Sequence, residues 1–228
     1  ALQDHRTHAG QLSLVESRAR SKRSRRCRGP IRRPCPKPTT ASGRLTSFRP
    51  AVVVKYEVGL DSDARKALMP VRVCFVCLGN ICRSPTAEGT MRRLLDRAQL
   101  AAAIELDSAG TGEWHVGDPP DRRARASAKR RGIQLGGRAR VVETSDFERF
   151  DYLIAMDRSN RRDLLRMAPD DEAKAKVVLF RSYDPGSPRD ADVPDPYYGE
   201  GDGFETVLDI CEAAASGLLK HIREKHRL

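Results

Sequence analysis

The chain has 228 residues, with 42 Lys and Arg against 31 Asp and Glu, and a formal charge of +11. That length holds one medium domain plus an appendage, and no run of about 18 apolar residues offers a membrane span. The positive charge would point to nucleic acid only if it were spread over the fold; it is not, because residues 1–70 hold 16 Lys+Arg and 5 Asp+Glu while residues 71–228 hold 26 of each. No nucleic-acid partner is therefore expected for the folded part.

Residues 1–70 read as a basic extension. The stretch SRARSKRSRRCRGPIRRPCPKP has no usable hydrophobic period and is expected to be disordered. Three readings compete: upstream sequence outside the functional protein, with Met69 as the true start; an Arg- and Ser-rich organelle transit peptide; or a basic arm for an acidic partner or membrane surface. AVVVKYEVGL, at 51–60, is a possible short strand.

The second region, 71–228, opens on VRVCFVCLGNICRSPTAE. Residues 71–76 form a continuous apolar run, as expected of a central parallel strand. The loop Cys77-Leu78-Gly79-Asn80-Ile81-Cys82-Arg83 follows, and Ser84 and Pro85 read as the N-cap and first position of a helix over 85–98. A helix start leaves backbone N–H groups unpaired at the positive end of its dipole. A loop curling just before it aims more of them at one point, which suits a phosphate. Gly79 permits a tight turn and Asn80 tolerates a positive φ. Arg83 can grip two phosphate oxygens with its planar fork. A thiol held among these groups loses its proton easily, so Cys77 is expected to be a thiolate near neutral pH.

Further strands are predicted over 104–108, 151–156 and 177–180. Asp121 is expected to cap a helix reaching Arg131 and stopped by Gly132. Thr144 or Ser145 is expected to cap a short one, and residues 159–167 read as helical. Residues 183–203 form a polar loop with four prolines. The last helix, over 204–225, places Val207, Leu208, Cys211, Ala214, Ala215 and Leu218 on one face. Strands alternating with helices imply a parallel sheet with right-handed crossovers, and a ligand site beyond the carboxyl ends of the strands. The cysteines at 27, 35, 74, 77, 82 and 211 are not spaced as a disulfide framework, and no metal or cofactor site is expected.

VCFVCLGNICRSPTAEG, at 73–89, resembles the phosphate-binding loop of the low-molecular-weight protein tyrosine phosphatases, including their bacterial members. DPYYG, at 195–199, resembles that family's general-acid loop. SAGTGEWHVG at 108–117 and FDYLIAMDRSN at 150–160 match further family blocks in order. The resemblance runs from Val71 to about Arg227, touches nothing in residues 1–70, and sets the domain at 71–228. It implies a three-layer α/β sandwich with a four-stranded parallel sheet and the phosphate-binding loop after the first strand.

The resemblance also implies a chemistry. Cys77 attacks phosphorus and forms a phosphocysteine, while N–H groups from Leu78, Gly79, Asn80, Ile81, Cys82 and Arg83, with the Arg83 guanidinium, hold the charge of the transition state. Asp195 protonates the leaving phenolate and then activates water. Ser84 either caps the helix or donates to the Cys77 sulfur, and both roles stay open. Asp157 either lies near the pocket or caps the helix after it. Cys82 pairs with the nucleophile under peroxide. Trp114, Tyr197 and Tyr198 form aromatic walls at the mouth. The family carries a histidine behind the loop near residues 135–138, where this chain has Leu-Gly-Gly-Arg; that removes one expected support for Ser84 and Asn80.

Phosphotyrosine proteins or small aryl phosphates are the expected substrates, with a monomer or weak dimer as the acting form. The cytoplasm is the expected compartment, organelle targeting by the extension being the alternative. Two other functions compete. A thioredoxin-coupled arsenate reductase of the same fold needs two further cysteines about seventy residues after the nucleophile, and none stands there. A non-catalytic phosphotyrosine-binding module needs no acid, which Asp195 argues against.

Overall fold

In the computed structural model, residues 69–188, 190–198 and 202–228 are described. The extension to residue 68, with its predicted strand at 51–60, lies outside them. The first strand, β1 (Val71–Cys77), runs one residue further than predicted and ends on the cysteine itself. It is followed by α1 (Arg83–Ala98), β2 (Ile104–Gly110), α2 (Arg122–Arg130) and α3 (Asp146–Arg149). Then come β3 (Tyr152–Ala155), α4 (Arg158–Met167), α5 (Asp171–Ala175), β4 (Val177–Leu179), a 3-10 turn over Phe180–Tyr183, and α6 (Gly203–His226).

The four strands form one sheet in the order β2-β1-β3-β4, and every pairing is parallel. Alternation along the strands splits the core into two layers. Val71, Val73, Phe75 and Cys77 face one side with Tyr152 and Ile154, against Met91 and Leu95 of α1 and Val207, Cys211, Leu218 and Ile222 of α6. Cys74 and Val76 face the other with Leu153 and Ala155, against Phe147 of α3 and Leu164 of α4. This is the predicted three-layer sandwich, and the apolar face of the last helix is the predicted one.

The chain leaves β1 for β2 on one side and for β3 on the other, so the strand order reverses at β1. A crevice opens there beyond the strand ends. The loop after β1 and the loop after β3 meet in it, which is why Asp157 can reach the segment that follows Cys77.

Several local predictions need correction. α1 begins at Arg83, not Pro85, and has no side-chain cap; Ser84 lies within its first turn, with its hydroxyl turned to the Cys77 sulfur. β2 runs two residues past the predicted Ser108, because Val76 and Cys77 continue the ladder with Ala109 and Gly110. Neither Thr144 nor Ser145 caps α3; Ser145 makes no side-chain capping bond, and Asp146 instead accepts the Glu143 N–H at 2.9 Å. The short α5 was not predicted, although Asp170 caps it by accepting the Ala173 N–H at 2.8 Å. The expected caps at Asp121 and the stop at Gly132, which has φ 71°, are present.

Candidate active site

The loop after β1 is shaped by backbone that only certain residues adopt. Asn80 has φ 53°, in the left-handed region. Gly79 lies in the bend after β1, as expected, and a Cβ there would also lie 3.0 Å from the His115 ring. At the end of β2, a Cβ on Gly110 would lie 2.7 Å from the Leu78 carbonyl oxygen. Glycine at 110 therefore lets β2 pass directly behind the loop, where the Thr111 and Gly112 N–H groups donate to the carbonyls of Cys77 and Leu78 at 2.9 Å each.

These constraints bring donors to one sulfur. The Asn80 backbone N–H points to Cys77 Sγ at 3.2 Å, and Ser84 Oγ lies 3.1 Å from it. The Asn80 amide donates to Ser84 Oγ at 2.9 Å and to Ser108 Oγ at 3.0 Å. It accepts the Arg140 N–H at 3.0 Å. Ser108 in turn donates to Glu88 Oε2 at 2.8 Å, so the direction of the chain of bonds is set by a carboxylate at its far end. Asn80 is thus held from three sides without the family histidine, and Gly136 and Gly137 border open space.

Arg83 is 4 % exposed. Its Nη1 donates to Asp157 Oδ2 at 2.6 Å and to the Val193 carbonyl at 3.3 Å, and its Nη2 donates to Asp195 Oδ2 at 2.7 Å. Burial works against the guanidinium charge, but Cys77, Asp195 and Asp157 outweigh it, and the pKa of Arg83 is raised. Asp157 fills both of its predicted roles, because its other oxygen accepts the Asn160 N–H at 2.7 Å and caps α4. Asp195 forms an Asx turn through the Tyr197 N–H at 3.0 Å. One arginine therefore ties the loops after β1 and β3 to the loop that carries Asp195, near the far end of the chain.

A cavity of about 370 Å³ opens over this floor, lined by Cys77, Leu78, Gly79, Ile81, Cys82 and Arg83 below and by Trp114, His115, Asp195, Tyr197 and Tyr198 at its mouth. All three predicted aromatics reach it. Trp114 is 75 % and Tyr198 88 % exposed, so neither is used to pin its loop onto the domain. Burial pushes the Cys82 thiol up to about 12, with the Asp121 carboxylate adding to the effect. Cys211 lies on the buried face of α6 and does not line the cavity.

His115, Ser108 and Glu88 were not singled out from sequence. His115 stands beside Trp114 within SAGTGEWHVG, and that adjacency was the available signal. Ser108 and Glu88 act through Asn80, and no linear spacing reveals such a relay. The described residues hold no group of three or more His, Cys, Asp or Glu placed to bind a metal ion, and no helix among them is long and apolar enough to cross a membrane.

Comparisons agree with the geometry. A Streptomyces coelicolor low molecular weight protein-tyrosine-phosphatase is 49 % identical over 158 residues, 69 % of this chain and 96 % of its own. A Schizosaccharomyces pombe low molecular weight phosphotyrosine protein phosphatase is 49 % identical over 136 residues, 59 % of this chain and 85 % of its own. The crystal structure of an Entamoeba histolytica protein tyrosine phosphatase, with Hepes in its active site, superposes with a TM-score of 0.65 at 40 % identity, covering 69 % of this chain and 99 % of that one. The family model of low molecular weight phosphotyrosine protein phosphatases matches residues 72–228, well over half of the chain, and the chain belongs to that family.

Proposed function

We propose that residues 71–228 form the catalytic unit and hydrolyse phosphotyrosine and small aryl phosphate monoesters through a phosphocysteine. The observation that carries this is one cavity holding the Cys77 sulfur, with the Ser84 hydroxyl at 3.1 Å and the Asn80 N–H donating at 3.2 Å, and an arginine bonded to Asp195. Cys77 attacks phosphorus as the thiolate; the S–P bond forms as the P–O bond to the tyrosyl oxygen breaks. Asp195 gives its proton to that oxygen. Arg83 and the loop N–H groups from Leu78 to Arg83 take the three non-bridging oxygens. A phosphoryl group drawn to Arg83 competes for the donor that holds Asp195, and so turns that carboxyl toward the leaving group. In the second step Asp195 takes a proton from water, the new P–O bond forms, and the thiolate leaves.

Ser84 supports departure of the sulfur. It has one proton and two acceptors in reach, Cys77 Sγ at 3.1 Å and the Ala109 carbonyl at 3.3 Å. An anionic sulfur draws that proton, and the Asn80 amide already occupies an acceptor site of the hydroxyl. Trp114, Tyr197 and Tyr198 flank the substrate ring. Cys82 lies in the same cavity wall; peroxide converts Cys77 to a sulfenic acid, which condenses with the Cys82 thiol to a disulfide and water. Every step is carried by a side chain or N–H of one chain, which suits a monomer or weak dimer, and a mechanism that needs a reduced thiol suits the cytoplasm.

Release of p-nitrophenol from p-nitrophenyl phosphate, and of phosphate from phosphotyrosine, tests the assignment. Wild type should turn over both in the presence of EDTA, with vanadate competing, and Cys77→Ser should turn over neither. Equal rates for the two proteins would end it.

A further inference from the structure

Beside the catalytic cavity lies a second hollow. Ile81, His115 and Tyr197 line both, and the second continues to Arg122 and Arg125 on α2. A peptide whose phosphotyrosine enters the first therefore lays its neighbouring residues along the second.

The charge of this hollow is not self-neutralised. Of its two acids, Asp121 is ion-paired with Arg123 and Asp118 is hydrogen-bonded to the His115 ring, which leaves Arg122 and Arg125 facing one carboxylate charge. Asp121 accepts the Arg123 N–H at 2.7 Å and the Arg123 guanidinium at 3.1 Å, and Asp118 Oδ2 lies 3.1 Å from His115 Nδ1. The other arginines at this end of the molecule are also engaged. Arg123 lies over the rings of Tyr197 and Phe204, while Arg130 and Arg131 pair with Glu205. Arg122 and Arg125 are exposed, and neither guanidinium has a hydrogen-bond or ion-pair partner among the described residues. The two arginines that line the hollow thus keep all their guanidinium donors free of partners among the described residues.

We propose that Arg122 and Arg125 read acidic side chains flanking the phosphotyrosine, making this hollow a specificity subsite for acidic phosphotyrosine peptides. The inference rests on the phosphotyrosine reading of the catalytic cavity. Both arginines stay in water, so their contribution is of the size of exposed ion pairs, and together they should favour an acidic over a neutral peptide by about five- to tenfold. A preference of this origin fades with ionic strength, since the screening length is about 8 Å at physiological salt.

The test compares kcat/KM on three phosphotyrosine peptides of equal length, with flanking residues Asp/Glu, Asn/Gln or Lys, in wild type and in the double variant Arg122→Glu/Arg125→Glu. p-Nitrophenyl phosphate is too short to reach the hollow and reports the catalytic cavity alone. Wild type should prefer the acidic peptide, the variant should prefer the Lys peptide, both preferences should weaken in salt, and p-nitrophenyl phosphate should be cleaved equally by both proteins. A reversal of preference cannot come from a general loss of structure. Equal rates on acidic and neutral peptides in wild type, or one common factor for all three peptides in the variant, overturns the subsite while leaving the catalytic reading intact. Failure of wild type on every substrate, p-nitrophenyl phosphate included, overturns both.

Discussion

β1 carries two cysteines three residues apart, each served by an arginine, and the two pairs behave as opposites. Cys74 faces the layer of α3 and α4 and receives Arg140 Nη2 at 3.7 Å. That arginine is shared with Asp107 at 2.9 Å and Asp146 at 2.8 Å, so two carboxylates already answer its charge. Burial pushes the Cys74 thiol well above its ordinary range, and the pull of Arg140 does not offset it. Cys77 lies on the other face, at the strand end, where the crevice opens and where a backbone N–H and a hydroxyl are aimed at its sulfur. In the proposed mechanism, an arginine near a thiol is therefore not enough to make a nucleophile. Access to substrate and donors free to meet developing charge make the difference.

Substitution at the sulfurs gives the largest contrast. Cys77→Ser should lower kcat on p-nitrophenyl phosphate on the order of a millionfold, the scale of losing a covalent nucleophile. Cys74→Ser should leave kcat within about twofold and appear only as a lower melting temperature. Comparable losses in kcat would erase the distinction between the two sites.

The arginines come next. Arg83→Lys replaces a fork with a point charge and should cost about 10²- to 10³-fold in kcat. Arg140→Lys should instead cost stability, about 2 kcal/mol, less than a fully buried pair because the Arg140 side chain is 30 % exposed. Denaturant midpoints measured beside kcat separate the two effects. Asp195→Asn should lower kcat by about 10²- to 10³-fold for aryl phosphates with poor leaving groups and far less for good ones. An equal loss across leaving groups would assign the proton to another residue.

The smallest expected effects concern the thiols in solution. Iodoacetamide at neutral pH should label Cys77 and spare Cys82, whose proton is held to about 12. Mass spectrometry of the labelled peptides reads this directly. The sign for stability follows. Cys82 keeps its proton in the folded chain up to about 12 but loses it near 9.0 when unfolded, so its contribution is complete below pH 9 and declines as pH rises toward 12. Cys82→Ser should flatten that alkaline decline, and it should also make inactivation by peroxide irreversible by added thiol.

Much of this molecule could be read along the chain. The order of strands and helices, the buried face of α6, the Asp121 cap and the Cys77–Arg83 loop are all local: each depends on periodicity, capping chemistry or a loop between a strand and a helix. Asn80 was legible because few residues accept its backbone angles. Other features need the fold. In sequence Ser84 fits either a helix cap or a partner of the Cys77 sulfur, and only the packed loop decides between them by turning its hydroxyl to sulfur. His115, Ser108 and Glu88 meet the site across layers. Arg83 touches Asp157 and Asp195, 74 and 112 residues away; the reversal of strand order at β1 brings the first within reach, and a long proline-rich loop delivers the second. Local rules determine what each segment becomes, because hydrogen bonds and hydrophobic period act over a few residues. Which segments share one cavity is decided by the packing of the sheet, because distance in space is set by layers and crossovers rather than by position in the chain.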